Sequence, residues 1–279
     1  MVITRLTRNQ LAGQPARGFE SHRLRQIKRG GKMNTSMKDR IKMSIAISVL
    51  MVVIIVVILI IIQYQIEGEK NMPYQLSKIT IISTAEGEQN TENPEESSKW
   101  NLSVNQNNDV YFFIDKNTDK DELLDSVTID NINVTKQPAK GVVKVFMPNS
   151  LEGRTFTYDA SYLVENGLEY KGGKTSNPKT LEICNQGGSA VIRFANTNVG
   201  NFVSNDDTEV QHNGTLLTKI GTTEEETKFQ VNFDFIIQAN KIKYKTNITL
   251  SLPCEKLLTE GTSNKEITDM SGIVFKRIK

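Results

Sequence analysis

The chain has 279 residues, with 34 Lys+Arg, 32 Asp+Glu and only two histidines, for a formal charge of +2. Two imidazoles and no paired Cys-x-x-Cys exclude a zinc centre built from several histidines or from cysteine pairs. The near-neutral total hides a split: residues 1–62 hold 11 basic against 2 acidic side chains, and the remainder holds 23 against 30. An acidic C-terminal part does not attract nucleic acid or an anionic wall polymer by bulk charge.

Residues 1–32 are basic and poor in apolar side chains, with Arg5, Arg8, Arg17, Arg23, Arg25, Lys28, Arg29 and Lys32 against Glu20. Within them, Gly18-Phe19-Glu20-Ser21-His22-Arg23 resembles a mistranslated transfer RNA T-arm. Residues 1–32 are accordingly expected to be a mistranslated upstream extension, with the true start at Met33 or Met37. The alternative is a cytoplasmic tail held near anionic lipid by its charge.

Residues 43–62, MSIAISVLMVVIIVVILIII, carry no charge and only Ser44 and Ser48 as polar side chains. At about 1.5 Å per residue they span roughly the 30 Å hydrocarbon layer of a bilayer. A signal-peptide apolar region is shorter, about 7–15 residues, and ends in a small-residue cleavage site, which QYQIEGEKN does not offer. The prediction is one transmembrane helix, a signal-anchor. Lys38, Arg40 and Lys42 precede it, so residues 1–42 are expected in the cytoplasm and residues from 63 onward outside.

Beyond the helix, residues 76–83 read as a strand and residues 85–99 (AEGEQNTENPEESSK) as an acidic linker. Residues 63–99 therefore form a juxtamembrane segment, and 100–279 a β-rich extracytoplasmic domain. WNLSV and VYFFID flank Asn105-Gln106-Asn107-Asn108-Asp109, a polar run that reads as a hairpin turn. Val127 and Ile129 alternate in one phase and Ile132 and Val134 in the other, which calls for a bulge at Asp130-Asn131. Residues 142–147 are strand-like, and residues 161–170 form a short helix despite Gly167.

The strongest pattern is Phe229, Val231, Phe233, Phe235 and Ile237, followed after Gln238-Ala239-Asn240 by Ile242, Tyr244, Ile248, Leu250 and Leu252. This is an antiparallel hairpin with one wet face, predicted at the centre of a sheet. Residues 272–275 add a last strand. The fold class is all-β, an antiparallel sandwich or barrel of one or two subdomains behind one N-terminal transmembrane α-helix.

Candidate chemistry is sparse. Cys184 and Cys254 suit one disulfide on an oxidising side of the membrane, or two separate small buried hydrophobes. Thr180-Leu181-Glu182-Ile183-Cys184, followed by Arg193, resembles the Thr-Leu-x-Thr-Cys…Arg segment of sortases, N-terminally anchored β-barrel transpeptidases. That resemblance implies Cys184 as nucleophile and Arg193 as stabiliser of an acyl intermediate, completed by an upstream histidine. Here Ile183 replaces the second Thr, and the one histidine of the C-terminal part, His212, follows the cysteine. In Val210-Gln211-His212-Asn213-Gly214, His212 reads as a solvated turn residue.

Asn185-Gln186-Gly187-Gly188 lacks the Lys and Ser/Thr of a nucleotide loop and reads as a β-turn. Asp115-Lys116-Asn117-Thr118-Asp119-Lys120-Asp121 alternates oxygen ligands, but two lysines interrupt it and no terminal Glu closes it. No metal site and no cofactor is expected. The expected function is binding or scaffolding at the cell envelope. The expected partners are the lipid bilayer, through residues 43–62, and an envelope protein or wall component, with no nucleic acid. The alternatives are the sortase-like enzyme and a purely structural envelope component.

Overall fold

A computed structural model describes residues 37–63, 72–90, 99–117, 121–149, 155–174, 180–206 and 209–278. Residues 1–36, with the basic segment and the transfer-RNA-like stretch, lie outside the described residues, as do residues 64–71 and 91–98 of the juxtamembrane segment and positions 118–120 of the polar run 115–121.

Helix α1 (Met37–Gln63) takes in the whole predicted apolar run, with residues 37–42 before it and Gln63 after it. Helix residues Met37–Ile60 are long and apolar enough to cross a membrane, their most apolar stretch of 18 residues having a mean hydropathy of 3.3. The run contains no glycine or proline to break the helix, and its β-branched side chains leave no polar stripe. It is the one such helix among the described residues.

The β domain is built from two sheets. Strands β1 (Tyr74–Gln89), β2 (Trp100–Lys116), β3 (Leu124–Lys136), β4 (Val142–Phe146), β5 (Gly167–Gly172) and β6 (Leu181–Ile183) are followed by β7 (Gly188–Ser204), β8 (Phe229–Ala239) and β9 (Ile242–Leu252). The short strands β10 (Ser263–Ile267) and β11 (Lys276–Ile278) complete the set. One sheet has the order β10-β1-β2-β7-β4 and the other β11-β9-β8-β3-β5-β6. All pairings between named strands are antiparallel except β5 with β6. Short helices α2 (Thr215–Lys219), α3 (Glu224–Thr227) and α4 (Leu257–Glu260) lie in the connections around β8 and β9.

The predicted central hairpin is present: β8 and β9 pair in unbroken register, and Asn240 and Lys241 both turn with positive φ, as a two-residue primed turn requires. The phase slip in β3 is a bulge, with the register shifting between Asp130 and Asn133 and Asn131 at φ 51°. Alternation places Phe112, Phe194, Phe233 and Phe235 in one core between the sheets. Phe112 meets Phe233 edge-on with centroids 5.6 Å apart, and Phe235 at 4.8 Å, so aromatic contacts join the two layers.

A second, smaller apolar cluster lies under α2 and α4, formed by Ala85, Leu102, Val104, Val199, Leu216, Leu217 and Leu257. Between the two clusters runs a buried polar row. Ser83 Oγ donates to Asn108 Oδ1 at 2.8 Å, Asn108 Nδ2 donates to the Phe194 carbonyl at 2.9 Å, and the Cys254 amide donates to Ser83 Oγ at 2.9 Å.

Four readings of the sequence are corrected. Residues 105–109 are not a turn, because β2 runs unbroken through them and Asn105, Gln106, Asn107 and Asn108 are buried. Residues 85–89 are not linker but the end of β1, paired with β2 as far as Gln89 with Leu102. The helix over 161–170 is replaced by a short 3-10 turn, Ala160–Tyr162, and by β5, because pairing with β3 outweighs local helix preference. The last strand begins at Lys276, after residues 272–275.

Candidate functional site

Arg193 sits in mid-β7 opposite Asp109 of β2. Its Nε donates to Asp109 Oδ1 at 2.6 Å and its Nη2 to Oδ2 at 2.9 Å, while Nη1 lies 3.7 Å from Glu86 Oε1. The ring of Phe156 stacks on the guanidinium at 4.4 Å. Burial opposes the charge of Arg193, but the Asp109 hydrogen bond and charge more than offset this and hold its pKa above the ordinary value. Tyr158 donates to Asn107 Oδ1 at 2.8 Å, and burial, then the Glu86 charge, raises its hydroxyl above the usual phenol range. The fork of Arg193 is thus occupied by carboxylates on neighbouring strands, an arrangement that fixes strands rather than greeting a substrate.

Cys184 follows β6 and is exposed. It leads into a turn in which the Gly187 amide donates to the Cys184 carbonyl at 3.1 Å, and Gly187 has φ +109°. A Cβ on Gly188, the first residue of β7, would stand 3.8 Å from Cys184 Cβ. Arg193 lies roughly 16 Å farther along that strand at about 3.3 Å per residue. His212 is exposed at the opposite end, its Nδ1 3.1 Å from the Gly87 carbonyl and its ring edge-on to Trp100. Gly87 pairs with Val104, and Arg193 with Asp109 of the same strand, so His212 stands roughly another 16 Å beyond Arg193. Thiol, guanidinium and imidazole are strung out along the length of β7 rather than brought to one point.

Cys254 follows β9, is 5% exposed and directs its Sγ to the Ile81 carbonyl at 3.7 Å. Both cysteines are free thiols, one at the surface and one in the core, so the Cys184–Cys254 bridge is not formed. Among the described residues, no group of three or more His, Cys, Asp and Glu side chains is placed to hold a metal ion.

What the sequence did not reveal is a cavity of about 700 Å³ where the chain crosses from one sheet to the other. The end of β3, the start of β8 and the end of β9 form one side, and β10 with the connection through Pro253 and α4 forms the other. Four lysines line it, Lys136, Lys228, Lys256 and Lys265, against Glu255 and Glu260. Lys228 is bridged to Glu225 and Glu224, and Lys256 Nζ lies 3.6 Å from Glu260 Oε1. Lys136 and Lys265 have no ion pair among the described residues. Ser263 also lines the cavity, is 7% exposed, and its buried Oγ has no hydrogen-bond partner. A basic, hydroxyl-bearing recess on an otherwise acidic domain suits an anionic ligand. Its residues come from three separated parts of the chain, which is why no local motif marks it.

No protein family, curated protein or solved structure matches the chain.

Proposed function

We propose that this is a single-pass membrane protein, anchored by α1 with its N-terminus inside, whose β-sandwich binds or scaffolds at the outer face of the cell membrane. The partner is another envelope protein or a wall component. The observation that carries this reading is the separation of the reactive side chains: Cys184, Arg193 and His212 lie far apart along the length of β7, and the Arg193 fork is spent on Asp109 and Glu86. Nucleophilic catalysis needs nucleophile and base within hydrogen-bond reach. The anchor reading is supported by a helix longer than a signal-peptide apolar region and by Lys38, Arg40 and Lys42 on its N-terminal side.

Crosslinking in intact cells, followed by membrane purification of the full chain, tests the proposal. A stoichiometric envelope partner supports it. Hydrolysis or transpeptidation by the purified full chain, lost on Cys184→Ala, overturns it.

A further inference from the structure

We infer that the cavity between β10 and the ends of β3, β8 and β9 is a binding site for a phosphate monoester, with Lys136, Lys265 and Ser263 as its recognition groups. This deepens the reading of the domain as a binding module and rests on it. The first ground is charge. Lys228 and Lys256 already have carboxylate partners, Glu255 also acts on Lys228, and Lys136 feels Glu225 only at longer range, which leaves two ammonium groups at the cavity outside any direct ion pair. A phosphate monoester carries a charge of about −1.5 to −2 at pH 7 and three strong acceptor oxygens, matching two ammonium groups. A single carboxylate would leave one of them unanswered.

The second ground is the hydroxyl. A buried polar atom without a partner costs about 1–3 kcal/mol, and Ser263, a lining residue of the cavity, holds such an Oγ, which a small rotation toward an incoming acceptor would satisfy. Ser263 and Lys265 stand two positions apart on β10 and project from the same face. They therefore offer an O–H and an N–H side by side, while Lys136 approaches from the other sheet. The cavity, about 700 Å³, exceeds what a bare phosphate fills and falls in the range of small-molecule sites, so the group carrying the phosphate enters with it.

The test is calorimetric titration of the full chain in detergent micelles with phenyl phosphate, and with acetate, at constant ionic strength. Saturable phenyl phosphate binding is expected, about tenfold or more tighter than acetate. Lys136→Gln with Lys265→Gln should weaken it by about tenfold or more, and Ser263→Ala by about threefold, while Lys243→Gln leaves it unchanged. Each variant's thermal unfolding is recorded, and the Gln substitutions remove the charge while keeping a polar side chain only slightly shorter, so a loss of binding in a folded variant is a loss of recognition. Equal binding of acetate, no saturation, or indifference to the double substitution overturns the phosphate site but leaves the binding module standing. Release of phenol by the wild-type protein overturns the binding-module reading itself.

Discussion

Arg193 and Asp109 face each other across the β7–β2 ladder and close a two-pronged ion pair at 2.6 and 2.9 Å, with the two side chains only 11% and 16% exposed. Removing one partner from a largely buried pair leaves a charge without compensation. Asp109→Ala should therefore lower unfolding stability by about 3 kcal/mol, read from the denaturant midpoint of the purified protein. Arg193→Lys keeps the charge but loses the fork and the stack on Phe156, so it should also destabilise measurably. An unchanged midpoint in both variants would mean that the pair is not what holds these strands.

The polar row between the two apolar clusters makes a separate claim. Asn108 accepts from Ser83 and donates to the Phe194 carbonyl, with no exposure to solvent. Asn108→Leu, close to it in size, strips those partners without opening a large void. A loss of about 2 kcal/mol is expected, because the Phe194 carbonyl loses its side-chain donor and Ser83 an acceptor. A variant as stable as wild type would show that the row is dispensable.

Asp234 supplies the pH dependence. On the outer face of β8 it accepts from Asn131 Nδ2 at 2.7 Å, Asn247 Nδ2 at 3.2 Å and Lys245 Nζ at 3.3 Å. Burial pushes its carboxyl up, but these bonds more than offset that and hold its pKa below the ordinary aspartate value of 3.8. A depressed folded pKa means stability that is fully present above pH 3.8 and lost as pH falls through the folded value. Asp234→Asn should cost about 2 kcal/mol at pH 7, with the difference from wild type shrinking below pH 3.8. Thermal unfolding of both proteins from pH 7 to pH 2 measures this, and a constant difference would contradict it.

The parts of this fold that were legible are those whose signal is local. The β8–β9 hairpin writes its period-2 pattern and its turn in one continuous stretch, and the slip between Ile129 and Ile132 marks its bulge directly. Residues 105–108 misled because their composition is that of a turn, and what makes them strand is remote. Glu86, Tyr158, Asn198 and the Phe194 carbonyl arrive from β1, from β7 and from the segment before the 3-10 turn to take up their hydrogen bonds. The sortase-like spacing of Cys184 and Arg193 was equally visible, but sequence spacing along an extended strand separates side chains instead of gathering them. The cavity was invisible for the converse reason, since Lys136 and Lys265 line one recess only because the end of β3 and the start of β10 come to it from different sheets.

The central claim is a membrane-held protein with its β domain outside, and Cys184 is the natural reporter. Intact cells are treated with a membrane-impermeant maleimide, quenched, fractionated by alkaline carbonate washing, and labelled again after denaturation. The account predicts rapid first-stage labelling of Cys184, without prior reductant, on full-length protein in the washed membrane pellet, and labelling of Cys254 only after denaturation. Labelling of Cys184 only after the cells are permeabilised, or a protein shortened past residue 63 and released from the pellet, would contradict it.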